Sequence, residues 1–384
     1  TVATAPVSAS GPERTGFGRA ELLRFAALPA MTFVPASESS GALLGTTQVN
    51  GVALPFADQP VQGFSGALRN ADGSFDVLSD NGYGQQANSA DFVLRIQRVA
   101  ADFAGHIVDV VGGVSLTDPD GHVPFPLTRA DRALTGADFD VESIVRVADG
   151  SMWIGDEFGP YLLHVDRAGR LLQAPVPLPG VLAPEHNGRG QTPANLGSSK
   201  GFEGMALSPD GRWLYPLLEG TVTGDPAGAL RLGEFDLSTG RYTGRQWRYQ
   251  LDSPGFAIGD AIMVDADHLL IIERDGAQGD AAQTKKIYLV DRRDRNHDGQ
   301  MDKTLVADLL NLANPRRVAG FGPVFRFPFQ TIEDVVILDQ RTLVVLNDNN
   351  FPFSAGRTAG APDNNEVIVV RLDGRLPLDR RVLR

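Results

Sequence analysis

One pattern recurs five times in this chain. It reads "GFSGALRNADGSFDVLSDNG" from Gly63, "DVESIVRVADGSMWIGDEFG" from Asp140 and "GFEGMALSPDGRWLYPLLEG" from Gly201. It returns as "IGDAIMVDADHLLIIERDG" from Ile258 and "TIEDVVILDQRTLVVLNDNN" from Thr331. Each block is a short apolar stretch, a polar turn, a second apolar stretch and an acidic end. Short β-forming runs on either side of such a turn read as a hairpin. The starts lie about 57 to 77 residues apart, and the segments between them, such as "FVLRIQRV" from Phe92 and "KKIYLVDRR" from Lys285, supply further strands. A repeat of this length, with several strands in each copy, is the mark of propeller blades. The chain therefore reads as all-β, a β-propeller of six blades, with five or seven as the alternatives. The sixth blade is expected from the two ends, "ELLRFAALPAM" and "EVIVVRL", which would close the ring and hide the sheet edges. The expected organisation is an N-terminal arm over 1–18 and one propeller domain over 19–384.

Composition narrows the function. The 43 glycines and 25 prolines of the 384 residues suit many short strands. A net charge of -12 speaks against nucleic acid as a partner. Zinc thiolates, disulfides and a cysteine nucleophile are excluded, because there is no cysteine. No apolar run reaches the roughly 18 residues of a membrane span. The opening "TVATAPVSASGPERTG" is small and polar, as a start left by signal removal would be. A secreted or periplasmic location is expected.

The acidic ends are where the chemistry gathers. With a two-residue turn in each hairpin, Glu142 stands opposite Glu157, Ser65 opposite Asp80, Asp260 opposite Glu273 and Glu333 opposite Asp348. Phe202 then faces Glu219, with Glu203 one step inside. Like charges facing each other across a strand pair destabilise it, so the repetition calls for a cation. Calcium, which takes six to eight oxygens, fits such carboxylates. The candidate ligands are Asp80, Glu142, Asp156, Glu157, Glu203, Asp260, Glu273, Glu333, Asp334 and Asp348. Glu142, Glu157, Glu203 and Glu333 are the candidates for a catalytic role, one of them as general base. A separate loop, "DRNHDGQMD", puts Asp294, Asn296, Asp298, Gln300 and Asp302 at alternate positions with Gly299 at the sixth. This is the first half of an EF-hand-type calcium loop. It lacks the closing glutamate, because position 12 is Leu305.

Lys200, Arg274 and Arg326 lie beside these acids in sequence and are the candidates for holding a small anionic ester. "GSSKG" from Gly197 matches G-x-S-x-G, but a loop precedes it and a strand follows it, the wrong setting for a nucleophile elbow. The six histidines form no H-x-H or H-x-x-x-H pair.

Together the five blocks, with "KGFEGMALSPDGRWLY", "IERDG" and "IEDVVILDQRTLVVLNDNN", resemble the phytase-like domain family, described by an esterase-like activity of phytase. The resemblance covers roughly Gly63 to Leu372. It implies a β-propeller in bacterial secreted or periplasmic proteins, and hydrolysis of phosphate or carboxylate esters. It also implies a calcium cluster at one channel mouth, with Lys and Arg holding phosphates. Three functions follow as expectations. The first is a calcium-dependent hydrolase of phosphoric esters. The second is a calcium-dependent lactonase or arylesterase, for which the amides of "LNDNN" (Asn347, Asn349) would join Asp348. The third is a binding propeller in which calcium only staples the blades.

Overall fold

The computed structural model describes residues 17–188 and 190–383. Of the arm expected over 1–18, residues 1–16 lie outside the described residues. Among the described residues there is no α-helix, only strands and short 3-10 turns. The strands form five four-stranded antiparallel sheets, one from each hairpin, of which the first and fifth join, with two short strands, into one continuous ten-stranded sheet; Gln48–Val49 and Val52–Ala53 make a separate two-stranded ribbon. The first, inner strands of the five sheets are Gly66–Arg69, Val141–Arg146, Phe202–Leu207, Ala257–Met263 and Asp334–Asp339. Each inner strand touches the next, and the fifth touches the first.

The two chain ends do not make the expected sixth unit. Strand Glu21–Leu28 pairs with Asn365–Arg371 and becomes the outermost strand of the fifth sheet. The first and fifth sheets also meet edge to edge at one parallel pair, Ala27 and Ile107.

A separate apolar cluster fills each interface between neighbouring sheets. Alternate side chains of an inner strand point to opposite faces, so each strand feeds two clusters. Val335 and Ile337 pack toward the fourth sheet, whereas Val336 packs toward the first. This explains why the hairpins read as continuous apolar runs rather than as clean alternation.

Four of the five turns differ from the expected two-residue type, while in the fifth hairpin Asp339 pairs with Thr342 across Gln340-Arg341, as expected. Asn70 pairs with Ser74, and Val147 with Ser151, so Ala71-Asp72-Gly73 and Ala148-Asp149-Gly150 are three-residue loops. Gly73 and Gly150 sit at φ of 89° and 86°, the left-handed position such loops require. In the first, second and fourth hairpins the register therefore slips by one residue, and in the third and fifth a β-bulge shifts it instead. Val141 faces Asp156, Ile258 faces Glu273, Phe202 faces Leu218, Asp334 faces Leu346 and Gly66 faces Leu78. None of the expected acid pairs stands directly opposite.

The inner strands approach each other closely near their starts. A Cβ on Gly259 would lie 1.9 Å from the Ile332 carbonyl oxygen of the neighbouring strand. Backbone cannot retreat there as a side chain could. Gly259→Ala is expected to cost about 3 kcal/mol, the upper end of ordinary overpacking. A urea midpoint that falls at unchanged slope would show it, and an unaltered midpoint would refute it.

Candidate metal centre

β-bulges shift the pairing further near the starts of the inner strands. In the second sheet pairing jumps from Val141 to Ser143, and in the third from Phe202 to Gly204. The skipped residues are Glu142 and Glu203. A bulge re-aims its extra residue, and these two carboxylates meet at the shared end of the inner strands. Glu333 stands just before the fifth inner strand, at the corresponding place. The second strands of the hairpins deliver the rest as they run out: Asp80 after Leu78, Glu157 after Asp156, Glu219 after Leu218, Asp348 after Leu346, and Arg274 as the last residue of His268–Arg274.

The carboxylates fall into two groups that share Glu142. Oxygens of Asp80, Asp140 and Glu142 lie within 4.8 Å of one another, as do oxygens of Glu142, Glu157 and Glu203. Asp140 is held from two sides, accepting the Asn81 N–H at 3.1 Å and the Ser199 hydroxyl at 2.9 Å. Glu157 Oε1 is buried and has no hydrogen-bond partner.

The charge balance of this mouth is lopsided. Among the described residues, only two cations, Arg274 and Lys200, are directly ion-paired with any of the eight acids Asp80, Asp140, Glu142, Glu157, Glu203, Glu219, Glu333 and Asp348. Burial, reinforced by neighbouring carboxylates, pushes Glu142, Glu157, Glu203 and Asp348 well above the usual carboxylate range. Glu333 and Asp80 are pushed up to about 8 for the same reasons. An acid kept from ionising by burial and like charge is one that a divalent cation would discharge. The orphaned Glu157 oxygen, the converging carboxylates and the surplus of negative charge fit a hard, oxygen-seeking ion.

Not every candidate joins this group. Asp156 is fully buried, but its oxygens accept the N–H groups of Asp140 at 2.8 Å and Gly159 at 2.7 Å. It fixes the backbone beneath Asp140. Asp260 likewise clamps two sheets, accepting from Ala261 at 2.7 Å and Val335 at 3.0 Å. Glu273 points elsewhere, to the Tyr249 hydroxyl at 2.6 Å, the Asp252 N–H at 2.7 Å and Lys303 at 2.7 Å. Asp334 is buried with both oxygens unpartnered, yet it is outside the two converging groups. Arg326 is exposed, and its guanidinium faces the carbonyls of Gly279 and Ala282. The amides of Asn347 and Asn349 are spent on backbone groups of 351 and 363–366, so they do not join Asp348 as ligands.

Asp294, Asp298 and Asp302 form no converging group. Asp294 caps the N–H groups of Asp298 and Gly299, Asn296 and Asp298 cap those of Asp298 and Gln300, and Asp302 accepts from Arg295. Gln300 adds no side-chain hydrogen bond to this exposed loop. The spacing of an EF-hand loop and of a self-capped hairpin loop coincide here, which is why the sequence reads as either.

Of the cations, Lys200 reaches Glu219 and keeps its side chain 43% exposed, while Arg274 is 9% exposed and faces Glu203, Glu219 and Glu333. Two acids of the site, Asp140 and Glu219, are not singled out as ligands by the sequence. Glu219 follows its strand just as Glu157 and Asp80 do, and that equivalence was the available signal.

Comparison with known proteins places the chain. An uncharacterized secreted protein of the fungus Arthroderma benhamiae is 30% identical over 190 residues, which are 39% of this chain and 37% of that protein. The match thus spans little more than a third of that relative, which is fungal rather than bacterial. Among solved structures, the periplasmic gluconolactonase of Pseudomonas aeruginosa is 16% identical, with 89% of this chain and 88% of that one aligned at a TM-score of 0.34. A luciferin-regenerating enzyme is 12% identical over 80% and 77% of the chains, at a TM-score of 0.39. Scores this low carry no function across. The family profile described as "Phytase-like: Esterase-like activity of phytase" matches residues 59–351, about three quarters of the chain, and the chain belongs to that family.

Proposed function

We propose that this chain is a calcium-dependent hydrolase of phosphoric esters, built as a five-bladed β-propeller. The five sheets, their five inter-sheet clusters and the ring of contacts between inner strands support the architecture. They also support treating the described residues as one domain. The observation that carries the function is the buried, unpartnered Glu157 oxygen among carboxylates converging on Glu142.

Asp80, Asp140, Glu142 and one of Glu157 and Glu203 would hold the ion. When bound, calcium supplies a Lewis acid at this mouth and lowers the pKa of a coordinated water. The residues do the rest. Ser199 and Asn81 fix Asp140. Lys200, still half exposed, binds the anionic oxygens of the ester. Whichever of Glu157 and Glu203 remains free of the ion takes the proton from the attacking water. The family description and the secreted fungal relative both favour work outside the cytoplasm.

The test is turnover of p-nitrophenyl phosphate, bis-p-nitrophenyl phosphate and p-nitrophenyl acetate, with calcium and after EGTA. Phosphate-ester turnover that EGTA abolishes and calcium restores is the expected result. Acetate turnover alone would favour a lactonase or arylesterase. No turnover, with a melting temperature that still responds to calcium, would leave a stapled binding propeller.

A further inference from the structure

We propose that Arg274 is a built-in cation that takes the place of one divalent ion in the acid ring, rather than a residue that holds substrate. The assignment rests on the metal reading above and refines it.

Three inner strands bring a glutamate to the ring: Glu142, Glu203 and Glu333. In the fourth sheet the bulge position is Gly259. No side chain can stand there, because a Cβ would meet the Ile332 carbonyl oxygen. The neighbouring strand of the same sheet sends in Arg274 instead. Its Nη2 lies 3.2 Å from Glu203 Oε1, 3.4 Å from Glu219 Oε1 and 3.1 Å from Glu333 Oε1. These carboxylates come from the third and fifth sheets, on either side of the fourth. One nitrogen facing three separate carboxylates is the arrangement of a central ion, at hydrogen-bond rather than coordination distances.

Arg274 is too buried to meet an ester at the mouth, whereas Lys200 is not. A guanidinium keeps its charge at any working pH, so it stays a cation at this depth. The two converging carboxylate groups contain neither Glu219 nor Glu333. Arg274 therefore divides the ring. Glu219 and Glu333 belong to the arginine. Asp80, Asp140, Glu142 and Glu157 belong to the metal, with Glu203 at the border.

Native mass spectrometry and calcium titration calorimetry on the full chain test this. If wild type binds n ions, Arg274→Gln is expected to bind one more, and Arg274→Lys the same number as wild type. Glu219→Gln, which removes an arginine partner and no metal ligand, is expected to keep n, with affinity changed less than about threefold. That variant decides the matter if Arg274→Gln does not fold. An Arg274→Gln protein that binds n or fewer, an Arg274→Lys protein that gains an ion, or a Glu219→Gln protein that loses one overturns the assignment while the metal reading stands. A wild type that binds no divalent ion overturns both.

Discussion

In EDTA, the melting temperature is expected to fall by about 10 °C between pH 5 and pH 8.5, and millimolar calcium is expected to remove most of the fall. The sign comes from the buried acids. Asp80, Asp156 and Glu333 are pushed up to about 8 by burial, and Asp260 up to about 7. In the unfolded chain these groups titrate near 4. Between those limits the folded chain holds protons that the unfolded chain has released. Stability from these groups is then greatest below about pH 4 and declines as pH rises through 7 to 8. One fully buried carboxylate shifted by about four pH units is linked to on the order of 5 kcal/mol. For a chain of this length that moves the midpoint by about 6 °C. Asp156, which touches no proposed ion, keeps some of this dependence. Calcium reverses the trend for the ring, because it binds the ionised form and stabilises by about 4 kcal/mol at a thousand times its dissociation constant. A midpoint in EDTA that stays level across this window would show that the carboxylates are not held protonated, and the argument for a cation would lose its basis.

The hairpins and the clustering of acids at one end were legible because both are local. Apolar runs, turn residues and strand-end carboxylates all lie within about twenty residues of each other. The register was not, since Asp72-Gly73 and Asp149-Gly150 look like two-residue turns while their glycines close loops of three. A slip of one residue turns every side chain to the other face. Bulges at Glu142 and Glu203 re-aim those two side chains, and bulges leave no mark in sequence. In the fourth sheet the bulge falls on Gly259, and Glu273 turns away to Tyr249 and Lys303. The pairing of the chain ends was not legible for a different reason. Glu21 pairs with Arg371, a contact that no local pattern announces. Arg326 is near the acids in sequence only, while Arg274, whose strand ends at the ring, is near them in space.

Glu142→Gln provides the sharpest separation between a metal centre and a merely buried acid cluster. Glu142 is the one residue common to both converging groups. Replacing it with the amide keeps the shape and removes one charge. Without calcium, the variant is expected to melt above wild type at pH 8, because an amide needs no proton to remain buried beside Asp80, Asp140 and Glu203. With calcium, the order inverts, since a ligand serving both groups is gone and affinity falls by at least about 100-fold, or near 3 kcal/mol. Phosphate-ester turnover falls by about 10³-fold, the loss of several kcal/mol of charge stabilisation. Crossing of the two melting curves on adding calcium is the result to look for. A variant less stable than wild type both with and without calcium would mean that Glu142 is there for packing and hydrogen bonds, and the ring would have to be explained without an ion.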